Sequence, residues 1–166
     1  KKTEEALRQS EKRLSEIIDF LPDATFAIDN EGRIITWNRA LEEMTGFSSG
    51  DMLGKGDHEY SIPFYGIRRP ILIDLVFEAN DEVESGYNYI KRDGDSIMAE
   101  ASLNLRGRNT TLWAKIAKLT DSGGKALGAI ETLRDITEHK QMLEEQSKLR
   151  EQLFQSQKME SMGLLA

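Results

Sequence analysis

Four residues lying close together, Asp51, Asp57, His58 and Glu59, are of metal-binding types, and the adjacent pair Arg68 and Arg69 could grip a carboxylate or phosphate. Neither grouping specifies a site. Hard cations need several oxygens that converge in space, and zinc needs a defined ligand set. The four residues fall in a polar, glycine-bearing stretch that reads more simply as solvated surface, so no metal is expected. Arg68 and Arg69 suit bidentate contacts to an anion, but salt bridges to nearby Asp74 or Glu78 are the simpler use of them. The chain has no cysteine, which removes disulfides, thiolate chemistry and cysteine-based zinc sites. It carries no glycine-rich phosphate loop, no metalloprotease helix and no nucleophile elbow. These 166 residues are therefore expected to catalyse nothing by themselves.

A second set could bind rather than react. Phe26, Ile28, Trp37, Phe64, Leu72, Leu75, Val76, Tyr89, Met98, Trp113 and Leu133 are the candidate inward residues. Dense packing of a small interior accounts for most of them. Aromatics with a polar tip, such as Trp37, Tyr89 and Trp113, would also orient a small ligand in a pocket between a central helix and a sheet.

The elements that must position these residues follow from periodicity. Lys1 to Leu21 reads as a helix with a seam of Leu7, Leu14, Ile18 and Leu21, ended by Pro22. Ala24 to Asp29 and Arg33 to Trp37 alternate as strands about the turn Asn30-Glu31-Gly32. Asn38 caps a helix with apolar Ala40, Leu41, Met44 and Phe47, stopped by Gly46. Ser48 to Pro63 holds short helical turns at most. Arg69 to Ala79 predicts a helix, with Pro70 in its first turn and Leu72, Leu75, Val76 and Ala79 on one side. Tyr87 to Ile90, Ile97 to Leu105, Thr110 to Leu119 and Ala126 to Leu133 read as antiparallel strands joined by short turns. A second long helix begins near Asp135, whose spacing to Glu138 suits a capping box, and Met142, Leu149 and Leu153 give it a seam broken by Gln146 and Ser156.

Composition limits the partners. The net charge is −7 and the pI near 5.0, against the positive field a nucleic-acid or anionic-membrane binder needs. No nucleic-acid partner is expected. No apolar stretch approaches the roughly 20 residues of a membrane span, and a cytoplasmic location is expected, whether the parent protein is soluble or membrane-attached. The unpartnered seams predict a homodimer.

This order of elements resembles the PAS fold: α+β, an antiparallel sheet of five to six strands with helices on one face, flanked by amphipathic helices. The resemblance runs from about Leu14 to Glu138. It is carried by the hairpin Leu21 to Asn38, by RALEEMTGFSSGDMLG at Arg39 to Gly54, and by GAIETLRDIT at Gly128 to Thr137. IPFYGIRRPILID at Ile62 to Asp74, with Leu112-Trp113 and Gly128-Ala129-Ile130-Glu131, resembles a subgroup found in microbial sensor kinases. QKMESMGLLA at Gln157 to Ala166 is similar to the lead-in to a histidine-kinase phosphoacceptor helix; neither His58 nor His139 matches the phosphoacceptor position.

The resemblance implies three parts: an N-terminal helix (1–21), a PAS domain (22–135) and a signalling helix (136–166). It implies a sensory input module of a two-component histidine kinase, with an unidentified small-molecule ligand, a kinase core in cis and a response regulator for the parent. A ligand-free dimerisation module is the alternative. Asp135, Ile136 and Thr137 would transmit the signal from sheet to helix. Haem is disfavoured, since Arg69 to Ala79 holds no histidine, and so is adduct-forming flavin, since there is no cysteine. ATP would bind only in the kinase core.

Overall fold

The computed structural model describes residues 2–163. Helix α1 (Lys2–Phe20) leads into the hairpin β1 (Ala24–Asp29) and β2 (Ile34–Trp37). The short helices α2 (Arg39–Thr45), α3 (Ser49–Met52) and α4 (Ile62–Tyr65) follow, with a 3-10 turn at Glu59–Ser61 before α4. A second 3-10 turn (Leu72–Val76) and α5 (Asp81–Ser85) lead to β3 (Tyr89–Asp93), β4 (Ser96–Leu105), β5 (Arg108–Thr120) and β6 (Ala126–Asp135). Helix α6 (Thr137–Ser161) closes the described chain.

The six strands form one antiparallel sheet in the order β2-β1-β6-β5-β4-β3. The first hairpin thus docks on the last strand, and β6 lies at the centre. The inner face carries Phe26, Ile28, Ile97, Leu112, Ile116 and Leu133, packed under Leu41, Met52, Tyr60 and the Leu72–Val76 turn. Five inner positions, Ala24, Ala99, Ala101, Ala114 and Ala129, are alanines.

Asn38 knots the first third together. Its Oδ1 accepts from Thr25 N (2.9 Å) and Leu41 N (3.0 Å), and its Nδ2 donates to Ile18 O (3.1 Å) and Asp23 O (2.9 Å). One buried amide therefore caps α2, pairs with β1 and holds the end of α1, with all four of its hydrogen-bonding positions satisfied. The two-residue turn Arg106-Gly107 has both φ values positive, at 52° and 81°, as a tight hairpin with matched twist requires. β5 consequently begins at Arg108 rather than Thr110.

Two expectations are corrected. Arg69 to Ala79 is not a helix. The only helical turn in that stretch is 3-10 and spans Leu72–Val76, with Leu72, Ile73 and Leu75 buried. Asp74 Oδ2 accepts from Ile71 N (2.8 Å) and tightens this turn. The chain restarts at Asn80, whose side chain takes the amides of Glu82 and Val83 to cap α5. Nor do Asp135 and Glu138 form a capping box. Asp135 Oδ1 accepts from Thr137 N (2.9 Å) and Thr137 Oγ1 (2.5 Å), and α6 starts at Thr137 without a side-chain cap on Ile136.

Gly128, at the start of the central strand, lies so close to β1 that an added Cβ would sit 2.0 Å from Ile28 O. Its φ is +156°. Gly128→Ala should cost more than about 2 kcal/mol, because the obstacle is backbone in mid-sheet. Gly94→Ala, with φ +60° but open space around it, should cost only about 1–2 kcal/mol. Urea denaturation of the two variants checks the difference.

Candidate ligand cavity and output joint

Along β6, Ala129, Glu131 and Leu133 point inward by strand alternation. Glu131 stands between Phe26 on β1 and Ile116 on β5 in register. It is 3% exposed, a carboxyl in the middle of an apolar sheet face. The Ile73 backbone on the turn above lies near enough to favour its ionised form. Its Oε1 has no hydrogen-bond partner among the described residues. Burial pushes its pKa up to about 8, and the nearby Asp74 carboxylate adds to the shift, partly offset by the Ile73 backbone.

Glu131 helps line a cavity of about 20 Å³, room for about one water molecule. Ala101, Ala114 and Leu112 contribute its floor from the sheet, and Phe64, Tyr65, Ile71, Leu72, Leu103, Tyr87 and Leu133 complete its lining. The phenols of Tyr65 and Tyr87 lie close to one another, with the Leu72 backbone near Tyr87. Burial raises the pKa of both, so they stay neutral. Beside the cavity, Tyr60 Oη donates to Asp74 Oδ1 (2.6 Å), and His58 Nε2 lies 3.4 Å from the same oxygen. The Arg69 guanidinium sits 4.5 Å over the Tyr65 ring.

The second feature is the joint where the sheet becomes α6. Ile136 N donates to Thr111 O (2.9 Å), and Thr111 N donates to Thr137 Oγ1 (2.9 Å). Asp135 orients that same hydroxyl through the 2.5 Å bond it accepts. Lys140, one turn into α6, pairs with Glu100 on β4. On the same sheet face Arg134 bonds Asp23 through Nε (3.0 Å) and Nη2 (2.8 Å) and lies 5.5 Å over the Trp113 ring. Its hydrogen bonds hold the Asp23 carboxyl below its usual range, against the opposing pull of partial burial.

The model of the PAS fold matches residues 18–141. The chain belongs to the PAS fold family, a family of sensory and signalling domains. Among solved structures, the PAS domain of BvgS from Bordetella pertussis is 21% identical, with a TM-score of 0.55 over 87% of this chain and 98% of that one. A PAS domain from Colwellia psychrerythraea is 18% identical, with a TM-score of 0.50 over 77% of this chain and 98% of that one. The phage VqmA–DPO complex is 13% identical, with a TM-score of 0.55 over 87% of this chain and 61% of that one. At these identities the likeness is one of fold. A search of curated proteins finds no match.

Within this PAS domain the anticipated residues separate into groups. Phe64, Leu72 and Leu133 line the cavity. Phe26, Ile28, Trp37 and Leu75 are buried in the packed core, and half-buried Val76 packs against it. Tyr89, Met98 and Trp113 do not point inward. Tyr89 is 57% exposed and stands in one cross-strand row with Glu100, Trp113 and Arg134 on the outer face; Met98 shares that face. Strand parity, not aromatic character, decides the side. Arg68 pairs with Glu59 (2.5 Å) rather than Asp74 or Glu78, and Arg69 stacks on Tyr65. Among the described residues, no group of three or more His, Asp or Glu is placed to hold a metal. Leu7, Leu14, Leu21, Met142, Leu149 and Leu153 are exposed, and Ile18 is half-buried. Glu131 itself was legible only as part of a motif. Its parity with Ala129 and Leu133 is the signal that would have placed it inward.

A carboxyl whose pKa is raised on folding binds a proton in the native state that the unfolded chain has already lost. Between about pH 4.5 and 8 stability therefore falls as pH rises. The full shift corresponds to roughly 4–5 kcal/mol. Glu131→Gln should flatten this slope and stabilise the domain above pH 8. Urea titrations from pH 5 to 9 measure it; equal slopes in both proteins would refute the buried-acid account.

Proposed function

We propose that this PAS domain is the sensory input module of a histidine kinase in two-component signalling. On this reading it binds a small molecule in the Glu131 cavity and passes the change through Asp135, Ile136 and Thr137 to the output helix. The division is an N-terminal helix (1–21), the sensory domain (22–135) and a signalling helix (136–166). The parent works as a cytoplasmic-facing homodimer that phosphorylates a response regulator.

The observation that carries this reading is the joint. The first turn of α6 is bonded to β5 through Thr111, and β5 lies beside β6, which holds Glu131. A shift of the central strands cannot leave the helix start unmoved. The seams of α1 and α6 favour the dimer: Leu7, Leu14, Leu21, Met142, Leu149 and Leu153 are exposed apolar side chains at the seam positions. The similarity of the tail to a phosphoacceptor lead-in favours the kinase; Leu164 to Ala166 of that motif lie outside the described residues. Among the described residues, no helix is long and apolar enough to cross a membrane.

One observation favours the second reading, a ligand-free dimerisation module. A cavity of about 20 Å³ is much smaller than the ~300–1,000 Å³ of ordinary ligand pockets. Native mass spectrometry of the chain purified from cells separates the two. A sensor retains an adduct that denaturation releases, whereas a filled-core module shows the bare mass under both conditions.

Asp135→Ala should remove the bond that aims Thr137 at Thr111, at about 0.5–2 kcal/mol. A domain with ~5–15 kcal/mol of stability stays folded. Autophosphorylation of the full parent should then lose its dependence on stimulus while the melting curve stays cooperative. A normal stimulus response in that variant would reject the coupling.

A further inference from the structure

The chemistry around Oε1 of Glu131 narrows what the cavity can hold. Oε1 is buried and lacks a protein partner among the described residues. Leaving such an oxygen unpaired is costly, roughly 1–3 kcal/mol and more for a charged group. Its neighbours are of one electrical character. Among the described residues, Glu131 is the only carboxyl lining the cavity, the other polar groups there are the neutral phenols of Tyr65 and Tyr87, and no Lys, Arg or His lines it. Asp74, on the turn above, adds a second acidic group whose effect reaches Glu131. His58 and Tyr60 both engage Asp74, and Arg69 lies over the Tyr65 ring; none of the three lines the cavity. Among the described residues no base lines the cavity to receive a phosphate or carboxylate ligand. A cation meets a counter-ion and aromatic faces of the kind that attract positive charge.

We propose that the cavity is a site for a small organic cation, an ammonium or amidinium group on a compact apolar body, with Glu131 as its counter-ion. This rests on the reading of the domain as a ligand-binding sensor and names its ligand class. Alanines at 101 and 114 leave the apolar body its space on the sheet side. On the other side the wall between Gly66 and Gly86 is a 3-10 turn and one five-residue helix, so it is held by few repetitive backbone bonds and can repack around a ligand larger than water. The protons balance simply. A neutral Glu131 carboxyl and an ammonium ion become a carboxylate–ammonium pair, and one proton goes to solvent.

The test uses the whole 166-residue chain and matched probes: butylamine against butanol, and benzylamine against benzyl alcohol. Nitrogen-15 NMR titration at pH 7 reads affinity and location. The amines should bind at least tenfold tighter than the alcohols, shifting the amides of Leu72, Leu112 and Leu133. In Glu131→Gln that preference should collapse to about onefold. Calorimetry of the unmutated chain in two buffers of different ionisation enthalpy should show close to one proton released per amine, a readout independent of any variant. Alcohols binding as tightly as amines, without proton release, would overturn the cation assignment while leaving a ligand-binding cavity. Failure of all four probes to perturb the cavity amides would overturn the site and the ligand-sensing reading together.

Discussion

A carboxyl stands in the core where apolar packing would be expected: Glu131, on the central strand, beneath the non-repetitive segment that roofs the sheet. An acid buried there resists ionisation, because its charged form loses its hydration. The carboxyl is in turn kept out of water by Phe26, Ile116 and the Leu72–Val76 turn, which raises its pKa and leaves one oxygen facing the cavity. The acidity of the interior and the character of the cavity therefore share one cause.

The same strand carries the output. Glu131 and Asp135 are four residues apart on β6, about 13 Å in an extended chain. Between them the strand is pinned on both sides, to β1 through Thr25 and Thr132 and to β5 through its ladder. A rigid strand held this way transmits displacement better than a loop would. At its end Asp135, Thr137 and Thr111 convert strand position into the start of a 25-residue helix. Lys140 to Glu100 on β4 adds a contact one turn further on. Because α6 has no buried residue, its direction is set almost wholly at this joint.

Much of the scaffold was readable from residue order. The hairpin about Asn30–Gly32, the cap at Asn38, the stop at Gly46 and the long strands all rest on local chemistry, such as alternation, a side-chain acceptor or a positive φ. What was not readable depended on tertiary partners. The stretch from Arg69 to Ala79 has helical spacing, but it closes only a 3-10 turn at Leu72–Val76, where Tyr60 from the preceding segment donates to the Asp74 carboxylate. Tyr89, Met98 and Trp113 looked like pocket residues because of their size. Cross-strand register puts them on the outer face, where Trp113 meets Arg134. Glu131 was hidden for the opposite reason: a charged residue in a strand is ordinarily taken as outward, and only the parity of its neighbours places it in the core.

The buried carboxyl of Glu131 can be observed directly. Carbon-13 NMR of the glutamate side chains in the 166-residue chain, with the Glu131 signal assigned by its loss in Glu131→Gln, gives the titration midpoint of that one group. The account predicts a midpoint near pH 8, well separated from the surface glutamates. A midpoint between about 4 and 5, the ordinary range for a solvated glutamate, would contradict it.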